Sequence, residues 1–406
     1  MKSDLAEKGM LVTVFWLPLV NAVMYVALII SFFSSLKKEK KFTDRNNLDY
    51  AVIIFIFIVF LSVLVSVNKL LSIYGFVAFC AYPIAYFIFA KNLNEANLLK
   101  ITRLITFSLV IVLIVAAAQL VIPVSFLYKN KEFFNLLGWD INVSVWRGAR
   151  FVSTLGNPNI LGSYLILVLP ILMCLFLQKQ SLKTGLIFTA GVICLLLTYS
   201  RSAWIGFIAG FFVLFVILKK RLLILFVLLF LIPFSVVPRL GNRFKSIVSS
   251  DTAYGIFGRT AVWQTSLNII KKYPLLGAGV NTFYYIYPKF QPEGSIDRFP
   301  HAHNILLHLG AEIGLIGAAA FCVLMFLFFK FSLKIYSRLS EFNDGCNLRW
   351  IVPGIVSSVV GFVVQNLGDC TFVRGQMGVL FWAMMGMVRG LSNLQKIFPS
   401  QKELRI

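Results

Sequence analysis

Long apolar blocks separated by short clusters of Lys and Arg run along the whole chain. A helix needs about 20 apolar residues to cross a hydrocarbon layer roughly 30 Å thick. Blocks of that kind lie near residues 10–34, 49–67, 70–90, 101–122, 158–177, 183–199, 203–218, 222–237, 304–329, 350–368 and 377–391. They are continuous and do not alternate, which is the pattern of membrane helices and not of barrel strands. The pattern predicts an all-α polytopic membrane protein with about eleven transmembrane helices. The first block exceeds a signal-peptide core and ends in charge without a cleavage-like site, so it is read as retained.

The connections Lys37 to Arg45, Lys91 to Arg103, Gln178 to Lys183, Lys219 to Arg221 and Lys330 to Arg349 are basic. Positive-inside bias assigns such connections to the cytoplasm, and all five fall on one side of the predicted bundle. The C-terminal tail, with Lys396, Lys402 and Arg405, joins them. An odd number of spans leaves the N-terminus, with Lys2 and Lys8, on the other side. Three segments then face outward: Pro123 to Asn157, the turn Tyr199 to Ser202, and Pro238 to Ala302.

Composition supports this reading, since 59% hydrophobic and 13% charged residues exceed what one soluble core can bury. The net charge of +22 does not indicate nucleic acid, because clusters such as Lys37, Lys38, Lys40 and Lys41 punctuate apolar blocks. The six cysteines form no CxxC pair, and Cys80, Cys174, Cys194 and Cys322 sit inside apolar blocks, as packing residues do.

The outward stretch from Pro238 to Ala302 is itself basic, with Arg239, Arg243, Lys245, Arg259, Lys271, Lys272, Lys289 and Arg298 against Asp251, Glu293 and Asp297. Either it meets an anionic ligand, or it is a long loop that crosses regardless of charge. Thr260 to Tyr273 reads as a short amphipathic helix along the interface, and Leu275 to Gly279 breaks regular structure. Tyr284, Tyr285 and Tyr287 suit either stacking on sugar rings or an aromatic belt.

Two of the three histidines, His301 and His303, stand where this stretch re-enters the membrane. His303-Asn304 is followed after nine residues by Gly314-Leu315-Ile316-Gly317, small residues that let a helix approach a neighbour closely. His308 lies deeper and reads as a packing residue. Arg201 falls between two apolar blocks with almost no loop, so its charge needs a partner at the outer boundary. Asp369, Glu312 or a substrate phosphate are the candidates, and the guanidinium fork suits phosphate well.

Four elements together resemble the O-antigen ligase and polymerase superfamily of bacterial envelope glycan assembly. They are Gly156-Asn157-Pro158-Asn159, Ser200-Arg201, Gly258-Arg259-Thr260-Ala261-Val262-Trp263 running on to Tyr273-Pro274-Leu275-Leu276-Gly277-Ala278-Gly279, and His303-Asn304 with its downstream Gly-x-x-Gly. The likeness spans Arg150 to Ala320. That family usually has about twelve spans with both ends cytoplasmic, so here the first helix is missing or two have been merged.

The resemblance implies a GT-C-like glycosyltransferase of the bacterial inner membrane with its active site outside and its C-terminus in the cytoplasm. It implies three regions: an N-terminal transmembrane part over 1–150, a catalytic part over 151–330 that includes the loop 238–302, and C-terminal helices with a tail over 331–406. The implied reaction moves a glycan from a polyprenyl diphosphate carrier to a hydroxyl of a glycan, lipid or protein acceptor. No cofactor and no metal is expected, since Asp140, Asp251, Glu293 and Asp297 are scattered and no Asp-x-Asp occurs. Arg201 and Arg259 match the family's functional arginines and would meet the charge on the departing diphosphate. His303 is the candidate base, or else a diphosphate ligand. Asn304, His301, Arg147, Arg150 and Tyr199 are the candidate substrate-binding residues. Ligase-type transfer is favoured, with polymerisation of carrier-linked units as the alternative. A lipid or glycan transporter, the reading from another class, should show midplane charges in two related halves, a pattern not seen.

Overall fold

In a computed structural model, the structure describes residues 5–37, 45–137, 139, 150–245, 259–293, 298–340 and 347–395. The described residues are helical, joined by turns, with no strand among them. The first half comprises α1 (Leu5–Trp16), α2 (Asn21–Leu36), α3 (Asn47–Leu64), α4 (Lys69–Asn92) and α5 (Glu95–Ala118). Two short helices follow, α6 (Val124–Lys129) and α7 (Lys131–Leu136), then α8 (Pro158–Lys179), α9 (Leu182–Leu197), α10 (Arg201–Leu218) and α11 (Leu222–Val236). The stretch 238–302 holds α12 (Pro238–Lys245), α13 (Thr260–Lys272) and α14 (Phe283–Phe290), and α15 (Ile305–Ser340), α16 (Ile351–Leu367) and α17 (Gly375–Gln395) follow.

Among the described residues, six helices (α3, α4, α5, α8, α10 and α15) are long and apolar enough to cross a membrane, and the bent pair α11 and α12 would make a seventh. Three shorter apolar helices, α2, α9 and α16, accompany them. The chain is thus a polytopic helical membrane protein. Its first block is a correction to the sequence reading: residues 10–34 are not one span but parts of two helices. Pro18 has no amide hydrogen to continue α1, and the turn is closed by Leu19 and Val20 N–H donating to the Trp16 carbonyl (2.9 and 2.8 Å). The two helices lie antiparallel, since Ser31 Oγ donates to the Ala6 carbonyl (2.7 Å). The start of α1 therefore lies at the same end of the bundle as the Lys37 to Arg45 connection, whereas an odd span count required the opposite end.

Helix α8 is almost wholly buried and forms the middle of the bundle. Around it, α10 meets α16 through backbone: a Cβ at Gly206 would stand 2.5 Å from the Gly361 carbonyl, and one at Gly210 would stand 2.7 Å from that of Ser357. Small residues at this seam let two helices pack closely without a hydrophobic drive between them. At the other end of the bundle, Asp49 of α3 accepts from Arg389 Nε of α17 (2.9 Å) and from Tyr86 Oη of α4 (2.7 Å), all buried.

Helix α15 is broken at Gly314, whose φ of 74° and ψ of 177° are open essentially to glycine alone. The break is filled by the loop 274–279. Ala311 and Glu312 carbonyls, which Leu315 and Ile316 would engage in a regular helix, accept instead from Ala278 and Gly279 N–H (2.9 Å each). The Leu315 and Ile316 amides donate to the Pro274 and Leu275 carbonyls (2.8 and 3.3 Å). These four backbone groups, which lose their helical partners at the break, are thereby paired. The neighbour that Gly314 admits is this loop and not another helix, since a Cβ there would collide with the Leu275 carbonyl. Glu312 clamps the same loop by accepting from Asn281 and Phe283 N–H (2.8 and 3.0 Å), while the Ser66 and Ser72 hydroxyls donate to the Ala278 and Val280 carbonyls (3.3 and 2.8 Å).

Candidate functional site

Three turns at the ends of α8, α10 and α15 carry the site. In the first, Gly156 takes a left-handed φ of 68°, and Asn157 then caps α8 by accepting from Asn159 N–H (2.8 Å), with Pro158 in the first helical position. The Gly-Asn-Pro-Asn element is thus first a helix start. Its last residue reaches the site, because Asn159 Oδ1 accepts from Arg150 Nη2 (3.4 Å). Arg150 also donates through Nε to the Thr198 carbonyl (2.9 Å), tying this turn to the second.

In the second turn Tyr199 has φ 50°, a strained value for a residue with a side chain. Its carbonyl points at cations: Arg150 Nη2 and Arg243 Nε each lie 3.4 Å away. Its buried ring supports Arg239, whose Cζ sits 4.8 Å from the ring centroid. Arg201 starts α10 immediately beyond, half-buried, with the charges of Arg243 and Arg259 acting on it.

The third turn carries His303, which also has a left-handed φ of 50°. Its Nδ1 lies 3.1 Å from Oδ1 of Asp369, in the connection after α16. That oxygen also accepts from Cys370 N–H (2.8 Å). Asn304 uses its side chain locally: Oδ1 accepts from Leu306 and Leu307 N–H (3.0 and 3.1 Å) and Nδ2 donates to the Leu367 carbonyl (3.1 Å). It therefore starts α15 and ties that start to the end of α16. His301 stacks edge-on against His303 with ring centroids 4.4 Å apart, and Phe299 also meets His303 edge-on at 5.6 Å. His308 is buried against Phe283, with Nε2 3.7 Å from Glu312, as a packing residue should be.

Burial would push the Asp369 carboxyl up, but the hydrogen bond from His303 and the positive charge around it, that of Arg259 included, outweigh it and hold the carboxyl well below the usual carboxylate range. Asp369 is therefore an ionised acceptor, and the proton between it and His303 belongs to the imidazole. Burial, followed by the charge of His303, pulls His301 down to about 3, so it is neutral. Burial and the charge of Arg243 lower Arg150 to about 10, and burial lowers Arg259, whose Nη1 lies against Gly368 beside Asp369.

Arg201, Arg259, His303, His301, Arg150 and Tyr199 are therefore brought together, while Arg147 lies outside the described residues. Asp369 was foreseen only as a partner for Arg201, yet it pairs with His303. Its signal was its place just past the C-terminal end of the 350–368 block. Among the described residues, His301, His303 and Asp369 are the group whose atoms, all within 4.8 Å, could hold a metal ion. Oδ1 of Asp369 is taken up by His303 and Cys370 N–H, whereas its Oδ2 and Nδ1 of His301 are buried without a hydrogen-bond partner; the fields of Arg259 and Arg374 disfavour a further cation there.

Residues 185–322 match the O-antigen ligase family model. The match supports the superfamily that the motifs resemble, and with it a glycan-transferring role in general. No curated protein sequence matches the chain. The matched region takes in Tyr199, Arg201, Arg243, Arg259, His301, His303 and Asn304, whereas Arg150 and Asp369 lie outside it and reach its residues only through the fold.

Proposed function

We propose that this chain is a glycosyltransferase that moves a glycan from a polyprenyl diphosphate carrier to an acceptor hydroxyl at the outer face of a bacterial inner membrane, without a metal. The observation that carries this reading is the His303 to Asp369 hydrogen bond set beside an arginine cluster. With Nδ1–H donated to the carboxylate, Nε2 of His303 offers its lone pair to the acceptor hydroxyl. As that proton moves to Nε2, the acceptor oxygen bonds to the anomeric carbon and the bond from this carbon to the diphosphate oxygen breaks. The charge left on the diphosphate is met by Arg201 and Arg259, cations already in place before the bond breaks. The acceptor is a glycan, a lipid or a protein.

Replacement of Arg201, Arg259 or His303 by Ala should abolish transfer from a purified carrier-linked glycan while the protein still inserts and folds. Wild-type turnover in all three variants would remove the reading. In the same assay, product on an added acceptor marks the ligase-type reaction favoured here, and a ladder of carrier-linked lengths marks a polymerase.

A further inference from the structure

Arg243 is outside the residues that the motifs single out, yet the fold delivers it to the same turn. Helix α12 folds back from α11 by 102°. Pro238 disfavours helical backbone at Val237 and donates no hydrogen bond. Gly241 closes the corner, since a Cβ there would stand 2.5 Å from the Phe234 carbonyl. Arg239 and Arg243 are four residues apart and share one face of α12. Both meet Tyr199, one over its ring at 4.8 Å and the other at its carbonyl at 3.4 Å. The carbonyl is shared with Arg150, so two guanidinium groups from distant segments converge on one oxygen.

Arg259 is the cation beside Asp369, and Arg243 acts on Arg150 and Arg201 while feeling Arg259. Like charges gathered at a partly desolvated boundary cost stability, and an anion bound among them offsets that cost. An arginine fork grips phosphate oxygens in two-point fashion, which an ammonium does not.

We propose that Arg243 is a phosphate-binding residue of this site, carried by α12 to the Tyr199 turn and contacting the donor's diphosphate there. The proposal rests on the glycan-transfer reading for the donor, but its test does not need transfer. Inorganic pyrophosphate is titrated into the purified full-length protein by calorimetry, at fixed ionic strength, with the melting temperature measured without ligand. Arg243→Gln should weaken pyrophosphate binding about tenfold or more, leaving the ligand-free melting temperature near that of wild type. Arg243→Lys, which keeps the charge and loses the fork, should fall between the two, and Lys245→Gln, exposed on the same helix, should bind as wild type does.

Should Arg243→Gln prove unfolded, the lysine variant decides. Wild-type pyrophosphate affinity in the folded variant means that Arg243 only props the Tyr199 turn, and the proposal falls while the reaction stands. If wild type binds pyrophosphate, Arg201→Gln and Arg259→Gln both lose it and Arg243→Gln keeps it, the proposal falls while the glycan-transfer reading stands. Absence of pyrophosphate binding by wild type would remove the anion site itself, and this proposal with it.

Discussion

His303 and Asp369 are hydrogen-bonded at 3.1 Å although 66 residues of chain separate them. The carboxylate fixes which imidazole nitrogen carries the proton. Asp369→Asn keeps the size but replaces an acceptor by a group that can also donate, so the imidazole can turn its proton to Nε2 and lose its basic face. Transfer should fall about 100-fold or more with little change in melting temperature. Because the two residues act as one unit, adding Asp369→Asn to His303→Ala should cost little further. Independent, multiplying losses in the double variant would show that Asp369 acts elsewhere.

Much of this site was legible as residue types at spacings, and the remainder was not, for physical reasons. Arg201, Arg259 and His303 announce themselves because a charge or imidazole at a membrane boundary is expensive. Asp369 looked like a partner for the nearest cation, since sequence gives no distance between the end of one span and the start of another. Arg243 was hidden among the basic residues of a long outward stretch, its bend at Pro238 being the one cue. The spans were visible as apolar runs, but the turn between α1 and α2 consists of Leu17, Pro18, Leu19 and Val20, so hydropathy ran straight through it. The loop 274–279 was recognisable as a break, whereas its insertion into α15 depends on backbone pairing that no side-chain pattern records.

Acid should unfold the site in a defined window. An unfolded chain binds a proton at His301 near pH 6.5, while the folded protein resists it down to about 3. Between these values the unfolded state holds more protons, so stability falls as pH falls. The depressed Asp369 contributes fully above about 3.8 and loses its contribution as pH drops towards 2. The melting temperature should therefore decline from pH 7 to pH 4, and His301→Gln should flatten that decline. An unchanged slope in the variant would mean that protonation elsewhere controls acid stability.

Transfer should survive strong chelation. On the proposed mechanism arginines meet the leaving charge and no metal is called on, although Asp369 Oδ2 and His301 Nδ1 are buried without a hydrogen-bond partner. Activity after EDTA treatment should equal that of untreated protein. Loss on chelation with recovery on adding Mg²⁺ or Zn²⁺ would instead assign His301, His303 and Asp369 to a metal.

Gly314 and Gly277 stand on the two sides of one junction. Gly314 has backbone angles open to glycine alone, and a Cβ at Gly277, itself at φ 70°, would run into the Glu312 carbonyl. Either Gly→Ala change should destabilise the protein by about 3 kcal/mol or more, from backbone strain plus the collision. Thermal melts in detergent measure it. Because the loop leads from α13 towards the His303 turn, residual folded protein should also transfer more slowly.

The buried pair of Asp49 and Arg389 makes the opposite kind of prediction, in which removing more costs less. Arg389 donates to Asp49 through Nε and holds Ser392 and Asn393 through Nη1 (3.0 and 2.7 Å), and Tyr86 closes the remaining side of the carboxylate. Arg389→Met leaves a carboxylate buried between α3 and α17 with no cation, met by the Tyr86 hydroxyl and the Asn46 N–H, and should cost about 3–5 kcal/mol. Asp49→Asn in the same chain removes the stranded charge, so the double variant should melt above the single one. Transfer per folded molecule should be unchanged in both, because this network lies at the other end of the bundle from His303. A double variant less stable than Arg389→Met would mean that the carboxylate earns its place through Tyr86 and the α3 start more than through the arginine.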